Sequence, residues 1–224
     1  SPPTTCADGW CLCGPATARF VVRTLYGADM GILLAGLSGM IAGSAHVVSG
    51  PDHLAAVMPL AVEQRWRAAL TGAWWGVGHA IGVLILGIAG HALRGWLDIE
   101  LLSAWSEVAV GGLLIGLGAW TIWRTYRPSP VGQTHSHHSA FGIGFLHGTA
   151  GAGHLFGVLP TLGMTTAAAA SYLGAYMLAA VASMSIFALG VGALARKTPH
   201  MPWALRLTGV VAIGIGIGWV ALAL

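Results

Sequence analysis

Charged side chains are the scarcest component of this sequence. Only 8% of its 224 residues are Asp, Glu, Lys or Arg, against roughly a quarter in soluble domains. A shortage of this size excludes an ordinary water-soluble domain. The ten Lys and Arg residues are also too dispersed to form a nucleic-acid surface. We therefore expect a lipid bilayer, and not nucleic acid, to be the main partner of the chain.

Cysteine is rare as well, and the Cys-x-x-Cys spacing is missing. Cys6, Cys11 and Cys13 all precede the first apolar stretch. Outside the cytoplasm they favour one disulfide and a spare thiol, with a thiolate metal site as the weaker interpretation. The chain begins with Ser, and residues 1–20 show no signal-sequence pattern. We therefore expect that the amino end was processed or trimmed, or that it lies upstream.

Apolar residues are abundant, at 56% of the chain, and the mean hydropathy is +0.76. The apolar stretches predict an all-α polytopic membrane protein with about six transmembrane helices of ~20 residues. Residues 1–28 are interpreted as an extracytoplasmic segment, and residues 29–123 and 141–224 as two groups of three spans. A polar loop at 124–140 joins the groups. Its His135, His137 and His138 either collect metal or are simply solvated.

A repeated histidine motif relates the two groups. The segment from His46 to Pro59 and the segment from His147 to Pro160 lie 101 residues apart and share two His, Gly, Leu, Val and Pro without a gap. The third spans also match, since the glycine-rich segment 111–118 resembles 209–216. Because each repeat holds an odd number of spans, the second should be inverted relative to the first. Transporters with inverted repeats bind substrate between them, on discontinuous helices.

Loop charge predicts the orientation of the chain. One side carries seven cationic residues and the other three: Arg65, Arg67, Arg124, Arg127, Arg196, Lys197 and Arg206 against Arg19, Arg23 and Arg94. Positive residues accumulate on the cytoplasmic side. We therefore expect both termini to be extracytoplasmic, and the membrane to be a bacterial inner membrane.

The spacing within the motif leaves two geometries open. His46 and His53 are seven residues apart, as are His147 and His154, which is about two turns or ~10 Å on an unbroken helix. A break at Gly50–Pro51 could bring the first pair onto one ion. Otherwise each pair provides two successive stations along a path. Imidazole suits Ni, Cu, Zn and Fe ions.

Two further intramembrane groups belong to the candidate site. Asp52 is the only acid within either copy of the motif, and Gly153 takes its position in the second copy. A carboxylate at membrane depth is costly and marks an ion path by default. His79, in the second span, is equally compatible with a hydrogen bond between helices. Met177 and Met184 are interpreted as packing residues rather than soft ligands.

Three segments resemble one known family. Gly-Pro-Asp-His-Leu-Ala-Ala-Val at 50–57, Gly-Ala-Trp-Trp-Gly-Val-Gly-His-Ala-Ile-Gly at 72–82 and Gly-Phe-Leu-His-Gly at 144–148 are similar to the NicO nickel/cobalt transporter superfamily. The likeness is greatest to its short six-helix members and to urease-accessory membrane proteins. It covers about 35–195. The larger permeases have four residues between the first His and Asp-His, whereas five separate His46 from Asp52.

The resemblance implies transport of Ni²⁺ or Co²⁺ as a substrate, with no tightly bound cofactor and no enzymatic activity. The metal path it implies comprises His46, Asp52, His53, His79, His147 and His154. A homo-oligomer or partner membrane subunits are compatible with this interpretation. The alternative is a non-transporting subunit of a larger complex whose paired intramembrane His ligate haem.

Overall fold

The computed structural model describes residues 15–93, 99–127, 137–150, 157, 159–197 and 201–223, without the side chains of 15–28, 87–93, 99–104, 137, 150 and 201. Within these ranges the chain is helical and has no strand. The helices are α1 Pro15–Ser49, α2 Pro51–Glu63, α3 Ala68–Leu93, α4 Ile99–Arg124, α5 His137–Ala150, α6 Thr166–Lys197 and α7 Met201–Ala223, with a 3-10 helix at Leu159–Gly163.

In the described part of the chain, five helical segments are long and apolar enough to cross a bilayer. They are Asp29–Ser49, Ala68–Leu86, Trp105–Arg124, Thr166–Lys197 and Pro202–Ala223. The chain is therefore a helical integral membrane protein. The sixth predicted span begins as α5, but its 14 residues rise only about 21 Å, short of a ~30 Å hydrocarbon core. Residues 151–156, which follow α5, lie outside the described part of the chain.

The first apolar stretch is broken where the sequence predicted it. α1 ends at Ser49, Gly50 is extended (φ −91°, ψ 95°), and α2 begins with Pro51. Proline has no amide hydrogen, so it cannot continue the hydrogen bonding of α1, but it suits the first turn of a new helix. α1 starts at Pro15, so residues 15–28 of the predicted N-terminal segment are helical.

The short helix α2 lies in the centre of the bundle. Its residues Ala55, Ala56, Val57, Leu60 and Ala61 are almost completely buried. They pack in one core with Trp75, Leu114, Met184 and Ala212 from the surrounding helices. Small side chains on α2 let those helices approach it closely. Met184 packs in this core, as predicted.

Glycines set the pairing and direction of the outer helices. Gly39 and Gly43 of α1 abut the backbone of Tyr172 and Tyr176 on α6. The residue numbers rise together along both helices, so α1 and α6 run parallel. In α5, Gly144 abuts the carbonyl of Trp75, and the next turn abuts α3 in the same order. α3 and α5 are therefore also parallel.

The glycine-rich segments of α4 and α7 pack against each other. Gly111 faces Gly216, and Gly118 faces Gly209. Here the numbers rise in opposite senses, so α4 and α7 are antiparallel. The same holds for α3 and α6, where Gly72 faces Met184 and Ala188 and Gly76 faces Val181. The glycine-rich segments 111–118 and 209–216, which resemble each other in sequence, thus form a contact between the two halves of the chain.

Cationic residues gather at one end of the bundle. Arg196 donates a 2.8 Å hydrogen bond to the carbonyl of Arg65, and Arg124 lies 2.9 Å from Glu63. Arg206 donates a 2.9 Å bond to the hydroxyl of Thr125. Four of the cationic residues that the charge count placed on one side therefore do lie at the same end: Arg65, Arg124, Arg196 and Arg206.

Replacing Gly144 by Ala should destabilise the bundle. The new methyl group would overlap the carbonyl of Trp75, and overpacking of this kind costs about 1–3 kcal/mol. We expect a lower melting temperature for the purified protein in detergent. Gly142→Ala is the matched control, because a methyl group there meets nothing within 4 Å. Equal melting temperatures for the two variants would contradict the packing described here.

Candidate metal centre

The break between α1 and α2 folds the first histidine pair together. Nε2 of His46 lies 3.0 Å from Nε2 of His53, where an unbroken helix would separate the two side chains by ~10 Å. The structure therefore selects the first of the two geometries that the spacing allowed. Gly50 makes this close approach of His46 and His53 possible, because a side chain at position 50 would collide with the His53 ring.

Asp52 connects this pair to the second half of the chain. Its Oδ1 lies 3.0 Å from Nδ1 of His53, and its Oδ2 lies 3.0 Å from Nε2 of His147 on α5. Both side chains of this inter-repeat contact are buried: Asp52 is 5% exposed and His147 is 0% exposed. The carboxylate thus joins the two predicted halves directly.

His79 completes the cluster from α3. Its ring centroid lies 4.8 Å from that of His53, 5.7 Å from that of His147 and 5.9 Å from that of His46. The structure therefore brings together five of the six predicted residues, which come from four helices. The sixth, His154, lies outside the described residues.

These groups form two overlapping sets of metal ligands. His46, His53 and His79 make one set, and Asp52, His53 and His147 make the other. Within each set, one ligand atom per residue lies within 4.8 Å of the others. Two nitrogens bound at ~2.1 Å to one ion are at most about 4.2 Å apart. A small inward movement would therefore suffice to close either set around an ion.

Hydrogen bonding fixes the side-chain orientations. As an ionised carboxylate, Asp52 can only accept, so Nδ1–H of His53 and Nε2–H of His147 must donate to it. Nε2 of His53 is then an acceptor, and His46 donates to it. Each ring nitrogen in this chain of bonds is positioned before an ion arrives. Preorganisation of this kind lowers the cost of binding.

Two aromatic residues that the sequence reasoning missed flank the cluster. Trp75 of α3 stacks on His79 with centroids 5.1 Å apart, and Tyr176 of α6 lies 5.8 Å from His46. Trp75 Nε1 and the Tyr176 hydroxyl are buried, and neither has a hydrogen-bond partner among the described residues. A signal was available: positions 75 and 176 are 101 residues apart, the period of the repeat.

The other candidates lie elsewhere. His138 is exposed at the start of α5. Met177 packs beside Tyr172 and Tyr176, as expected of a packing residue. His135 and the three cysteines lie outside the described residues, and so does the side chain of His137. Their predicted roles stay predictions.

Comparison with known proteins identifies three similar proteins. The chain is 33% identical over 211 residues to the chloroplast protein FOR GROWTH AND FERTILITY 2 of Arabidopsis thaliana. These residues cover 83% of this chain and 56% of that protein. It is 32% identical over 234 residues to FOR GROWTH AND FERTILITY 1 of the same plant, covering 92% and 63%. The chain thus spans less than two thirds of either relative.

The third relative is bacterial. Urease accessory protein UreH of Bacillus sp. (strain TB-90) is 30% identical over 104 residues, which cover 44% of this chain and 41% of that protein. No protein-family model and no solved structure matches the chain. The similarity to a urease accessory protein supports that part of the resemblance noted from the motifs.

Replacing Gly50 by Ala should disturb the metal ligands with little effect on the fold. The backbone of Gly50 suits any residue, but a methyl group would collide with the His53 ring and lie 3.1 Å from Oδ1 of Asp52. Misorienting ligands typically costs 10–100-fold in metal affinity, so we expect a loss of at least about tenfold for Co²⁺. Calorimetric titration of the purified protein measures this loss.

Gly31→Ala is the control for this variant. Gly31 lies on α1, and a methyl group there meets nothing within 4 Å. Both variants should melt close to the unmodified protein. Unchanged Co²⁺ affinity in Gly50→Ala would contradict the role assigned to this glycine.

Proposed function

We propose that this protein moves a divalent transition-metal cation, with Ni²⁺ or Co²⁺ as the preferred substrate, across the membrane. The observation that carries the proposal is the convergence of four imidazoles and one carboxylate in the interior of a membrane bundle. Burying an ionisable group in a membrane is costly, so five of them at one point indicate an ion site. Imidazole ligands suit nickel as well as other late first-row ions, and the resemblance to NicO proteins points to nickel and cobalt among them.

The depth of the cluster supports transport. Asp52 lies eleven positions before Glu63 on α2, and His79 lies eleven positions after Ala68 on α3. Both distances correspond to about 16 Å from the cationic end, or about half of a ~30 Å core. Transporter sites lie near the midplane and use broken helices, as α1 and α2 do here.

The helix directions support an inverted repeat. Shifting by 101 residues converts the contact of Gly43 with the carbonyl of Tyr176 into the contact of Gly144 with the carbonyl of Trp75. Each half thus packs its first helix on the second helix of the other half. The equivalent helices α3 and α6 are antiparallel, and so are α4 and α7. An in-plane twofold relation between three-span halves accounts for all of these directions.

The proposed orientation follows the positive charge. The end that carries Arg65, Arg124, Arg196 and Arg206 would face the cytoplasm or its equivalent compartment. Both termini would then face the opposite side. The bacterial inner membrane stays a prediction, and a chloroplast membrane is an alternative suggested by the names of the two plant relatives.

Energy for transport would come from outside the site. The sequence contains no G-x-x-x-x-G-K-[ST] loop for nucleotide phosphates. An ion gradient, the membrane potential or a partner subunit would then drive the metal. A homo-oligomer or a partner membrane subunit is compatible with this proposal.

The haem-binding alternative fits the cluster poorly. Neighbouring imidazole rings lie 4.6–5.9 Å apart, and the fully buried Trp75 fills the space beside them. A planar macrocycle cannot enter without separating these side chains. We expect no Soret band from the purified protein after haem is supplied during expression. A strong Soret band that is lost in His53→Ala would favour the haem-binding subunit instead.

Asp52→Asn and His53→Ala should each abolish metal flux. Asp52 supplies the only negative charge of the cluster, and His53 belongs to both ligand sets. Ni²⁺ and Co²⁺ uptake into proteoliposomes, with Zn²⁺ and Cu²⁺ as competitors, measures transport and selectivity. We expect a loss of at least about 100-fold, since removing either residue leaves buried partners uncompensated.

Asp29→Asn is the matched control for these variants. Asp29 is exposed on α1 and has no place in either ligand set. All three variants should insert in equal amounts, and only Asp29→Asn should transport normally. Normal flux in both site variants would eliminate the proposal.

A further inference from the structure

The imidazole of His53 faces ligands on two opposite edges. Its Nε2 lies 3.0 Å from His46, and its Nδ1 lies 3.0 Å from Asp52. The two ring nitrogens point away from each other, and a neutral imidazole has a free lone pair on only one of them at a time, so a single ion can bind only one of them. The cluster therefore cannot close around one ion with all five side chains.

We propose that the cluster comprises two metal stations that share His53 and are occupied one at a time. Station one consists of His46, His53 and His79, and station two consists of Asp52, His53 and His147. His53 binds the ion through Nε2 in station one, with its proton on Nδ1, and through Nδ1 in station two, with its proton on Nε2. In station two the proton of His147 is on Nδ1, which leaves Nε2 for the ion. This inference deepens the proposed transport function and rests on it.

The repeat relates the two stations to each other. His46 and His147 occupy equivalent positions of the two copies and lie on the equivalent helices α1 and α5. Each station contains one of them, and His53 lies between, with centroids 4.6 Å from His46 and 4.9 Å from His147. The repeat therefore pairs one ligand of each station, whereas it aligns the shared His53 with His154. Alternation between two inverted halves would bring His46 and His147 to the ion in turn, and such alternation opens a site to one side of the membrane and then to the other.

Charge limits occupancy to one ion and makes the stations unequal. Station one offers neutral imidazoles, whereas station two includes the Asp52 carboxylate. Two divalent ions on opposite edges of one imidazole would repel each other strongly in this buried environment, with one carboxylate to compensate them. Station two should therefore hold the ion more tightly, and station one should hold it in transit.

The experiment uses Co²⁺ as the probe and the full chain, purified in detergent without a polyhistidine tag. Ligand-field absorption reports the ligand set, and calorimetry reports the affinity and the number of ions per chain. His79→Gln removes a ligand from station one only, and His147→Gln removes one from station two only. His53→Gln damages both, and Asp29→Asn, at an exposed residue of α1 outside both stations, is the control.

We expect one Co²⁺ per chain in the unmodified protein and in both single-station variants. His79→Gln should keep its affinity within about threefold and retain the spectrum of the carboxylate-containing station. His147→Gln should bind at least about tenfold more weakly, with an all-nitrogen spectrum, and His53→Gln should bind at least about 100-fold more weakly. Both single-station variants should lose flux.

Two results would overturn the two-station arrangement. One is a loss of binding in His79→Gln or His147→Gln as complete as that in His53→Gln, with normal gel-filtration behaviour, because it would indicate one indivisible site. The other is two Co²⁺ ions bound together with magnetic coupling. If either variant does not fold, His46→Gln replaces the first and Asp52→Asn the second, with the same expectations.

Failure of the transport proposal has a different signature. Wild-type protein that binds Co²⁺ with the two-station pattern but gives no flux would refute transport and leave the stations intact. Flux through a protein whose single-station variants both lose all binding would refute the stations alone.

Discussion

The cost of a buried negative charge inside a membrane bundle constrains the rest of this structure. Asp52 is 5% exposed and lies about 16 Å along α2 from Glu63 at the cationic end. An unpaired carboxylate would be strongly disfavoured there, so each of its oxygens faces a histidine, one on the same helix and one on α5. The two halves of the chain are thereby joined at the point where an ion would bind.

That constraint also explains why the bundle is built around a broken helix. A continuous helix through residue 50 would direct His46 and His53 to positions ~10 Å apart, and Asp52 to a different face. Because Gly50 is extended and Pro51 has no backbone N–H, α2 begins as a separate helix, and its first residues lie close to His46. The remaining helices enclose this turn through glycines at their contacts. Because glycine has no side chain, their backbones can approach closely enough to exclude lipid.

Much of this arrangement could be predicted from the sequence, because its signals are local or repeated. The scarcity of charge predicted membrane helices, Gly50–Pro51 predicted the break, and the duplicated His motif predicted that His46 and His147 belong to one site. The packing of α1 on α6 and of α3 on α5 could not be predicted. The pairing of these helices depends on which glycine contacts which backbone carbonyl across the bundle, and a single sequence does not indicate those contacts. Trp75 and Tyr176 were missed because aromatic residues in membrane spans usually serve as interface anchors.

The two halves have diverged where the chemistry is concentrated and remain alike where they pack. The repeat period aligns His79 with Ala180 and Asp52 with Gly153, so the second half lacks both ligands. It keeps Gly144 at the position of Gly43 and an aromatic residue, Tyr176, at the position of Trp75. Close packing between helices tolerates little change, since a methyl group added at Gly43 or Gly144 would meet backbone. A second full set of ligands would place another carboxylate beside Asp52, and like charges at this depth repel strongly. An asymmetric site between two similar halves would therefore suit the proposed inverted repeat, because the halves could still exchange roles while the site binds a single ion.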